Sequence, residues 1–218
     1  MDRHRIGIVI PALNEARSIG DVVRHSVAHG VPVVVDDGST DGTAEVATTA
    51  GAEVVRHVRN LGYDEALNSG FRRALELGFE WVITVDADGQ HDPKTLEGII
   101  EQLDSGADVV VGVRDRKQRF AECIVAWWGR RVWGIRDPLC GIKGYRIEVY
   151  KEHGYFDSCS SVGTELAICA SVRGRTVTQI AVHTRARVGA PRFGSSIRAN
   201  LRILRALLAV AAKARSLR

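Results

Sequence analysis

The chain has 218 residues, is 45% hydrophobic and 26% charged, and carries a formal net charge of +4. That suffices for one large α/β domain or two small ones and excludes a disordered chain. No stretch nears the roughly 18 apolar residues of a membrane-crossing helix, and the start, Met1-Asp2-Arg3-His4-Arg5, carries no expected targeting signal.

In chain order, Ile6 to Ile10 is a fully apolar run ended by Pro11, as a buried strand would be. Ser18 is placed to cap a helix running to about His29, with Ile19, Val22, Val23 and Val27 on one face. Val33 to Val35 reads as a second strand stopping at Asp36. Thr40 or Asp41 opens a helix that Gly51 closes, and Glu53 to Arg56 is a third strand. Asp64 to Leu77 is predicted helical, with Leu67, Phe71, Ala74 and Leu75 inward and Gly78 as the stop. Trp81 to Val85 is a fourth strand ending at Asp86. Asp92-Pro93 then caps a helix to about Ser105. Asp108 to Gly112 is a fifth strand.

Strands spaced by helices predict a mostly parallel sheet flanked by helices, with ligands at the carboxyl ends of the strands. The second half is less regular. Leu139 to Tyr145 and Thr176 to Val182 read as strands, and Gly163 to Val172 as a helix. Trp127, Trp128 and Trp133 share a segment with Arg119, Arg130, Arg131 and Arg136. Ser196 to Ala214 is an amphipathic helix with Ile197, Leu201, Leu204 and Leu208 in one stripe and Arg198, Arg202 and Arg205 beside it. The expected division is a domain over 1–195, with a nucleotide-binding half (1–112) and an acceptor-binding half (113–195), followed by a basic helix over 196–218.

Cysteines stand at 123, 140, 159 and 169 without a Cys-x-x-Cys pair, which argues against a disulfide framework or zinc site and fits a reducing, cytoplasmic compartment. No Asp or Glu follows Glu165, so the remaining chain is one-signed and should seek an anion.

Two acidic loops carry the chemistry. Asp86 and Asp88 end a buried strand, where two carboxylates repel unless a cation joins them. Mg2+ or Mn2+ takes such oxygen ligands and shares them with substrate phosphates, and Gln90 adds an amide oxygen. Asp92 reads as an N-cap only. In Asp36-Asp37-Gly38-Ser39-Thr40-Asp41-Gly42, glycine lets the backbone approach a ligand, and Asp37 is placed to accept from a base or ribose. Ser39 to Gly42 reads as a turn and helix cap.

Pro11-Ala12-Leu13-Asn14-Glu15, Val35-Asp36-Asp37-Gly38-Ser39-Thr40-Asp41 and Asp86-Ala87-Asp88-Gly89-Gln90-His91 together resemble glycosyltransferase family 2, of the GT-A fold. The last of these is most similar to dolichyl-phosphate mannose synthase and bacterial polyprenyl-phosphate enzymes. Asn60-x-Gly62, Ala66-x-Asn68-x-Gly70, Gly112-x-Arg114 and Asp137-Pro138-x-Cys140-Gly141 leading to Arg146 extend the resemblance over roughly residues 6 to 195.

The resemblance implies a nucleotide-sugar donor, with Pro11, Asn14 and Glu15 lining the nucleoside pocket and Asp37 on base or ribose. Asp86 would orient the donor. Asp88 and Gln90, with Asp86, would hold Mg2+ or Mn2+. Arg114 would meet a phosphate, Glu165 would face the acceptor, and Arg187 and Arg192 would grip phosphates. Gly189-Ala190-Pro191-Arg192 replaces a lysine-bearing loop of relatives, and Cys140 and Lys143 stand where Ser and Arg are expected.

A phosphate acceptor is already anionic and needs no strong base, whereas a hydroxyl acceptor would require one, with Glu165 as candidate. Direct displacement would invert the anomeric centre. Both acceptors stay open at this point: a polyprenyl phosphate, met by a chain lying on the cytoplasmic membrane face, or a glycan or other hydroxyl. A homodimer is also open.

A sugar nucleotidyltransferase is the alternative class, but Pro11 to Ala16 lacks the glycine-rich loop it would need. No Gly-x-Gly-x-x-Gly follows a strand, which excludes a dinucleotide oxidoreductase. A nucleic-acid partner is not expected, because carboxylates at the sheet edge repel phosphate without a metal.

Overall fold

The computed structural model describes residues 1–89, 94–115, 119–183 and 196–217. Its first half alternates strand and helix: β1 (Ile6–Ala12), α1 (Ile19–Val27), β2 (Val31–Asp36), α2 (Thr43–Thr49), β3 (Glu53–Arg56), α3 (Tyr63–Glu76), β4 (Trp81–Thr84), α4 (Lys94–Asp104) and β5 (Val109–Arg114). The second half adds α5 (Phe120–Val132), β6 (Lys143–Arg146), α6 (Ile147–His153), α7 (Glu165–Val172), β7 (Val177–Val182) and α8 (Ser196–Arg215).

The seven strands form one sheet in the order β3-β2-β1-β4-β6-β5-β7. Only β6 runs antiparallel to its neighbours β4 and β5. The fold class is therefore the mostly parallel α/β sheet read from the sequence. Core clusters cover both faces of the sheet. One holds Ile8, Ile10, Ile83 and Val110 with Ile19, Val23 and Leu103. The other holds Val9, Val33 and Val111 with Phe71, Tyr145 and Phe156. Phe71 packs against Phe156 at 4.7 Å between ring centroids and edge-on to Tyr145 at 5.6 Å. Its truncation to alanine should cost about 3–5 kcal/mol.

Several boundaries differ from expectation for local physical reasons. Pro11 does not end β1: the strand continues through Ala12, paired with Asp36. The carbonyls of Val9 and Ala12 bond to Val85 and Asp37 respectively, so by alternation Pro11 faces the β4 side, beyond the end of β4. Ser18 precedes α1 without capping it through its side chain; its hydroxyl donates to Glu15 Oε2 at 2.9 Å. Leu75 is exposed, at 38%, while Leu67, Phe71 and Ala74 are buried. Phe120 to Val132, left unassigned above, is a helix. The Asp92-Pro93 cap lies outside the described residues.

Helix α8 packs on α5 and α7. It does so mainly through Ile203, Leu207, Val210 and Ala214, and of the predicted stripe Leu204 is partly packed on the same cluster. Leu201 and Leu208 stay 50% and 71% exposed, beside exposed Arg198, Arg202 and Arg205. Among the described residues, no helix is long and apolar enough to cross a membrane.

Candidate active site

The carboxyl ends of β1, β2 and β4 converge, and the turns that follow them interlock. Asn14 adopts φ 52°, a left-handed conformation that asparagine tolerates better than most residues. Its N–H donates to Ser39 Oγ at 2.9 Å, and its Oδ1 accepts from the Thr40 N–H at 2.9 Å. The Glu15 N–H donates to Thr43 Oγ1, and the Ala16 N–H to Asp41 Oδ2. Pro11 is buried in the strand beneath. The three residues assigned to the nucleoside pocket thus share one edge with the second acidic loop. A cavity of about 320 Å3 opens there, lined by Gly38, Ser39, Thr40, Arg56, His57 and Val58. Gly38 is obligatory: a Cβ would lie 2.6 Å from the Arg59 carbonyl carbon, at a φ of +79°.

Asp37 itself is closed inside the protein. The N–H groups of Leu61 and Gly62 donate to its two oxygens at 2.8 and 2.9 Å, and His57 Nδ1 lies 2.7 Å from Oδ1. His57 Nε2 meets Ser69 Oγ at 2.9 Å. At 4% exposure, Asp37 organises the Arg59–Gly62 loop.

The Asp86–Asp88 turn is built differently. Asp88 is buried and Asp86 partly so. The Tyr63 hydroxyl donates to Asp86 Oδ1 at 3.2 Å, and burial followed by the Asp86 charge pushes the Tyr63 pKa well up. Gly141 presses on the other oxygen: a Cβ there would lie 2.0 Å from Asp86 Oδ2. Thr84 Oγ1 donates to the Gly141 carbonyl at 2.7 Å and accepts from the Lys143 N–H at 3.1 Å. Two carboxylates on one turn, two positions after β4, offer the hard oxygen donors that a divalent cation requires. Gln90, the third proposed ligand, lies outside the described residues, as do Arg187 and Arg192.

The acceptor-side assignments fare less well. Arg114 is engaged with Asp137 through two side-chain bonds, Nε to Oδ2 at 2.8 Å and an Nη to Oδ1 at 2.9 Å, with Glu122 at 3.4 Å. Burial, the largest single influence, opposes its charge, but the bond to Asp137 together with the Asp137 and Glu122 charges holds its pKa above the ordinary value. A phosphate would have to compete with this pair.

Glu165 is fully buried. Its oxygens take His153 Nε2 at 2.9 Å, the Ser158 N–H at 2.6 Å and the Ser158 hydroxyl at 2.9 Å. Burial would raise its pKa, yet these donors, His153 first, hold it down at about 2. In this structure the Glu165 carboxylate is enclosed and engaged by internal donors, an arrangement that fits an anchor for the 153–158 segment.

Other residues have roles that sequence alone did not single out. Asn68 clamps the 156–157 segment: its Oδ1 accepts from both N–H groups there and its Nδ2 donates to the Asp157 carbonyl. Asp157 gathers the N–H groups of Cys159, Ser161 and Gly163. Asp64 accepts from the Gly163 N–H at 2.8 Å, and burial, then the Asp157 charge, pushes it up to about 6. The positive charge of Arg202 on α8 partly opposes that rise. A second cavity, of about 510 Å3, lies between α5 and the sheet edge, walled by Arg114, Trp127, Arg130, Arg136, Gln179 and His183. The place of Tyr63 as first residue of α3, directly after Gly62, was the one local signal for it.

The fold is a mostly parallel α/β sheet whose carboxyl edge carries two acidic turns. The glycosyl transferase family 2 profile matches residues 7–163, and the chain belongs to that family. It is 28% identical over 199 residues to the undecaprenyl-phosphate 4-deoxy-4-formamido-L-arabinose transferase of Salmonella gallinarum, covering 82% of this chain and 59% of that one. An uncharacterized Methanocaldococcus jannaschii protein is 40% identical over 117 residues, 52% of this chain and 48% of the other. The chain thus spans about half to three-fifths of the length of these relatives. Among solved structures, glucosyl-3-phosphoglycerate synthase of Mycobacterium tuberculosis with Mn2+, UDP-glucose and phosphoglyceric acid superposes with a TM-score of 0.71 at 21% identity, over 96% of this chain and 80% of that one. At that identity the likeness establishes the GT-A fold.

Proposed function

We propose that this chain transfers a sugar, with inversion, from a nucleotide-sugar to a polyprenyl phosphate at a membrane surface. The observation that carries the reading is the Asp86–Asp88 turn, set between Tyr63 and Gly141 at the carboxyl edge of the sheet. Asp88 and Asp86, with Gln90, would hold Mg2+ or Mn2+ there, and the ion would neutralise the departing diphosphate. The chain's own residues do the rest. The Asn14–Thr40 and Gly38–Val58 walls seat the nucleoside, and Asp37 keeps the Arg59–Gly62 loop in place beside it. Tyr63 and Gly141 fix the Asp86 carboxylate, so that the sugar is held in one orientation.

The phosphate acceptor is preferred over a hydroxyl because Glu165, the base a hydroxyl would need, is enclosed. An acceptor phosphate brings its own negative charge, and Arg130 and Arg136 line a cavity adjoining Arg114. The Salmonella relative, whose name specifies undecaprenyl phosphate, supports the same choice. Exposed Leu201 and Leu208 beside three arginines, with exposed Phe120 and Trp127 on α5, suit a headgroup boundary.

The test is a panel of nucleotide sugars with Mn2+, scored first for thermal protection and then for transfer of label into solvent-extractable polyprenyl phosphate. The expected product is lipid-linked and is lost with chelator. Label found only on soluble hydroxyl acceptors would overturn the acceptor assignment.

A further inference from the structure

The loop before α7 is held in a conformation that its own residues resist. Ser160, Val162 and Gly163 stand at φ 55°, 57° and 68°, and the left-handed region is costly for a β-branched residue such as Val162. Backbone kept there is over-determined by its surroundings, and such backbone clusters at functional sites. Helix α3 grips the loop with two side chains one turn apart. Asn68 bonds the backbone of residues 156 and 157, and Asp64 Oδ1 takes the Gly163 N–H at 2.8 Å. From within the loop, Asp157 Oδ2 takes the same N–H at 3.1 Å. From β6, the buried Lys143 Nζ donates to the Gly163 carbonyl at 3.0 Å. Both polar groups of the Gly163 backbone are thus fixed.

This fixed backbone presses on the neighbouring stripe of α3. A Cβ on Gly163 would lie 3.2 Å from Tyr63 Cε1 and 3.5 Å from a Leu67 methyl. Cε1 is bonded to the ring carbon that bears the hydroxyl, so the contact falls at the polar end of the ring. That hydroxyl donates to Asp86 Oδ1 at 3.2 Å. Burial, then the Asp86 charge, keeps it protonated and able to donate.

We propose that Gly163 is a positioning residue for sugar transfer: its pinned backbone is the wall that sets the Tyr63 ring, and the ring sets the Asp86 carboxylate. The inference rests on the function proposed above, in which Asp86 orients the donor sugar. Glycine serves here for space as well as for its φ. A methyl at 163 would push the ring aside by a few tenths of an ångström, and the hydroxyl with it. Gly174, which follows α7 at φ +78°, has nothing within 4 Å of its Cβ position. Alanine at 174 therefore carries the same backbone cost without the contact. The nucleoside walls, Asn14–Thr40 and Gly38–Val58, include none of these residues, so the expected loss lies in kcat and not in donor affinity.

The experiment compares full-chain G163A, Y63F, their double variant and G174A, using the nucleotide sugar selected by the panel above with Mn2+ and undecaprenyl phosphate. G163A and Y63F should each lower kcat about tenfold, the order of one lost hydrogen bond to a carboxylate. Donor KM should stay within about twofold of wild type. The double variant should fall no lower than either single one, because both substitutions remove the same contact. G174A should lose melting temperature as G163A does and keep wild-type turnover. If G163A does not fold, D64A is measured in its place. It frees the Gly163 N–H from its shorter bond and should likewise be non-additive with Y63F. Turnover of G163A equal to that of G174A, or a double variant down roughly a hundredfold, would overturn the proposal. D86N, run alongside, separates it from the function reading. An inactive D86N beside a fully active G163A sinks this inference alone. An active D86N, or a wild type that turns over no sugar in the panel, sinks the reading and this inference with it.

Discussion

The two acidic loops look alike in sequence and are used in opposite ways. Asp37 is enclosed by two backbone N–H groups and an imidazole, all drawn from the loop after β3 and the start of α3. Asp86 accepts from the Tyr63 hydroxyl and sits against the close backbone of Gly141. A carboxylate closed on backbone donors holds its own loop in place, whereas two carboxylates sharing one turn gather oxygen donors of the kind a divalent cation takes. The difference lies in what each turn is packed against, not in the residues of the turn.

The largest expected effect tests that contrast directly. Asp88→Asn should remove nearly all turnover, a loss on the order of a thousandfold or more, with the circular dichroism spectrum unchanged. Removing one of two repelling carboxylates should, if anything, raise the melting temperature of the metal-free chain. Near-normal turnover at saturating donor would erase the distinction between the loops.

Next comes the Arg114–Asp137 pair. Asp137→Ala should lower unfolding stability by about 3–5 kcal/mol, the usual cost of stranding a buried charge. Urea denaturation measures it. If stability is unchanged and only acceptor affinity falls, Arg114 serves substrate phosphate and the internal pair is incidental.

Asp37→Ala should raise the donor's Kd more than it slows the chemical step, at about 1.5–3 kcal/mol. Because its bonds are internal, the same variant should also melt earlier. Calorimetry and a thermal melt together decide: weaker donor binding with unchanged stability would make Asp37 a direct ligand contact.

These contrasts mark what the sequence could tell. Strand runs such as Ile6–Ile10 and Val33–Val35 were legible because short, β-branched apolar runs have few other ways to fold. The placement of both acidic loops followed from the parallel topology. The pairings were not legible. Arg114 meets Asp137 across 23 positions and His57 meets Asp37 across 20, and no local pattern encodes such distances. Lys143 gave a faint signal, as a lysine in a strand-like run, which buried sheets admit only with a partner. The stripe on α8 misled for a related reason. Helical periodicity singled out Ile197, Leu201, Leu204 and Leu208, whereas packing on α5 and α7 buries chiefly Ile203, Leu207 and Val210.

Glu165 supplies a smaller, pH-resolved effect. Its folded pKa of about 2 lies below the ordinary 4.5. It therefore contributes stability that is fully present above about pH 4.5 and is lost as pH falls toward 2. Wild type should lose melting temperature steeply across that window, and Glu165→Gln should show a flatter profile. Turnover of folded Glu165→Gln at pH 7 should stay within a few-fold of wild type. Loss of the chemical step alone, with stability retained, would restore Glu165 as a base.

The smallest effect concerns the exposed strip of α8. Each basic residue near an anionic surface adds roughly 1 kcal/mol, so Arg198, Arg202 and Arg205 together suffice for reversible attachment, with Leu201 and Leu208 seated among the acyl chains. The buried face of the helix is already occupied by α5 and α7, so docking requires no unfolding. The chain should sediment with anionic liposomes at low salt and be released as salt rises. Changing the three arginines to glutamine should cut binding about tenfold or more, while the melting temperature and the affinity for nucleotide stay as in wild type. Binding that persists in the triple variant, or that is absent at low salt, would assign the strip to a protein contact and separate the acceptor reading from the membrane.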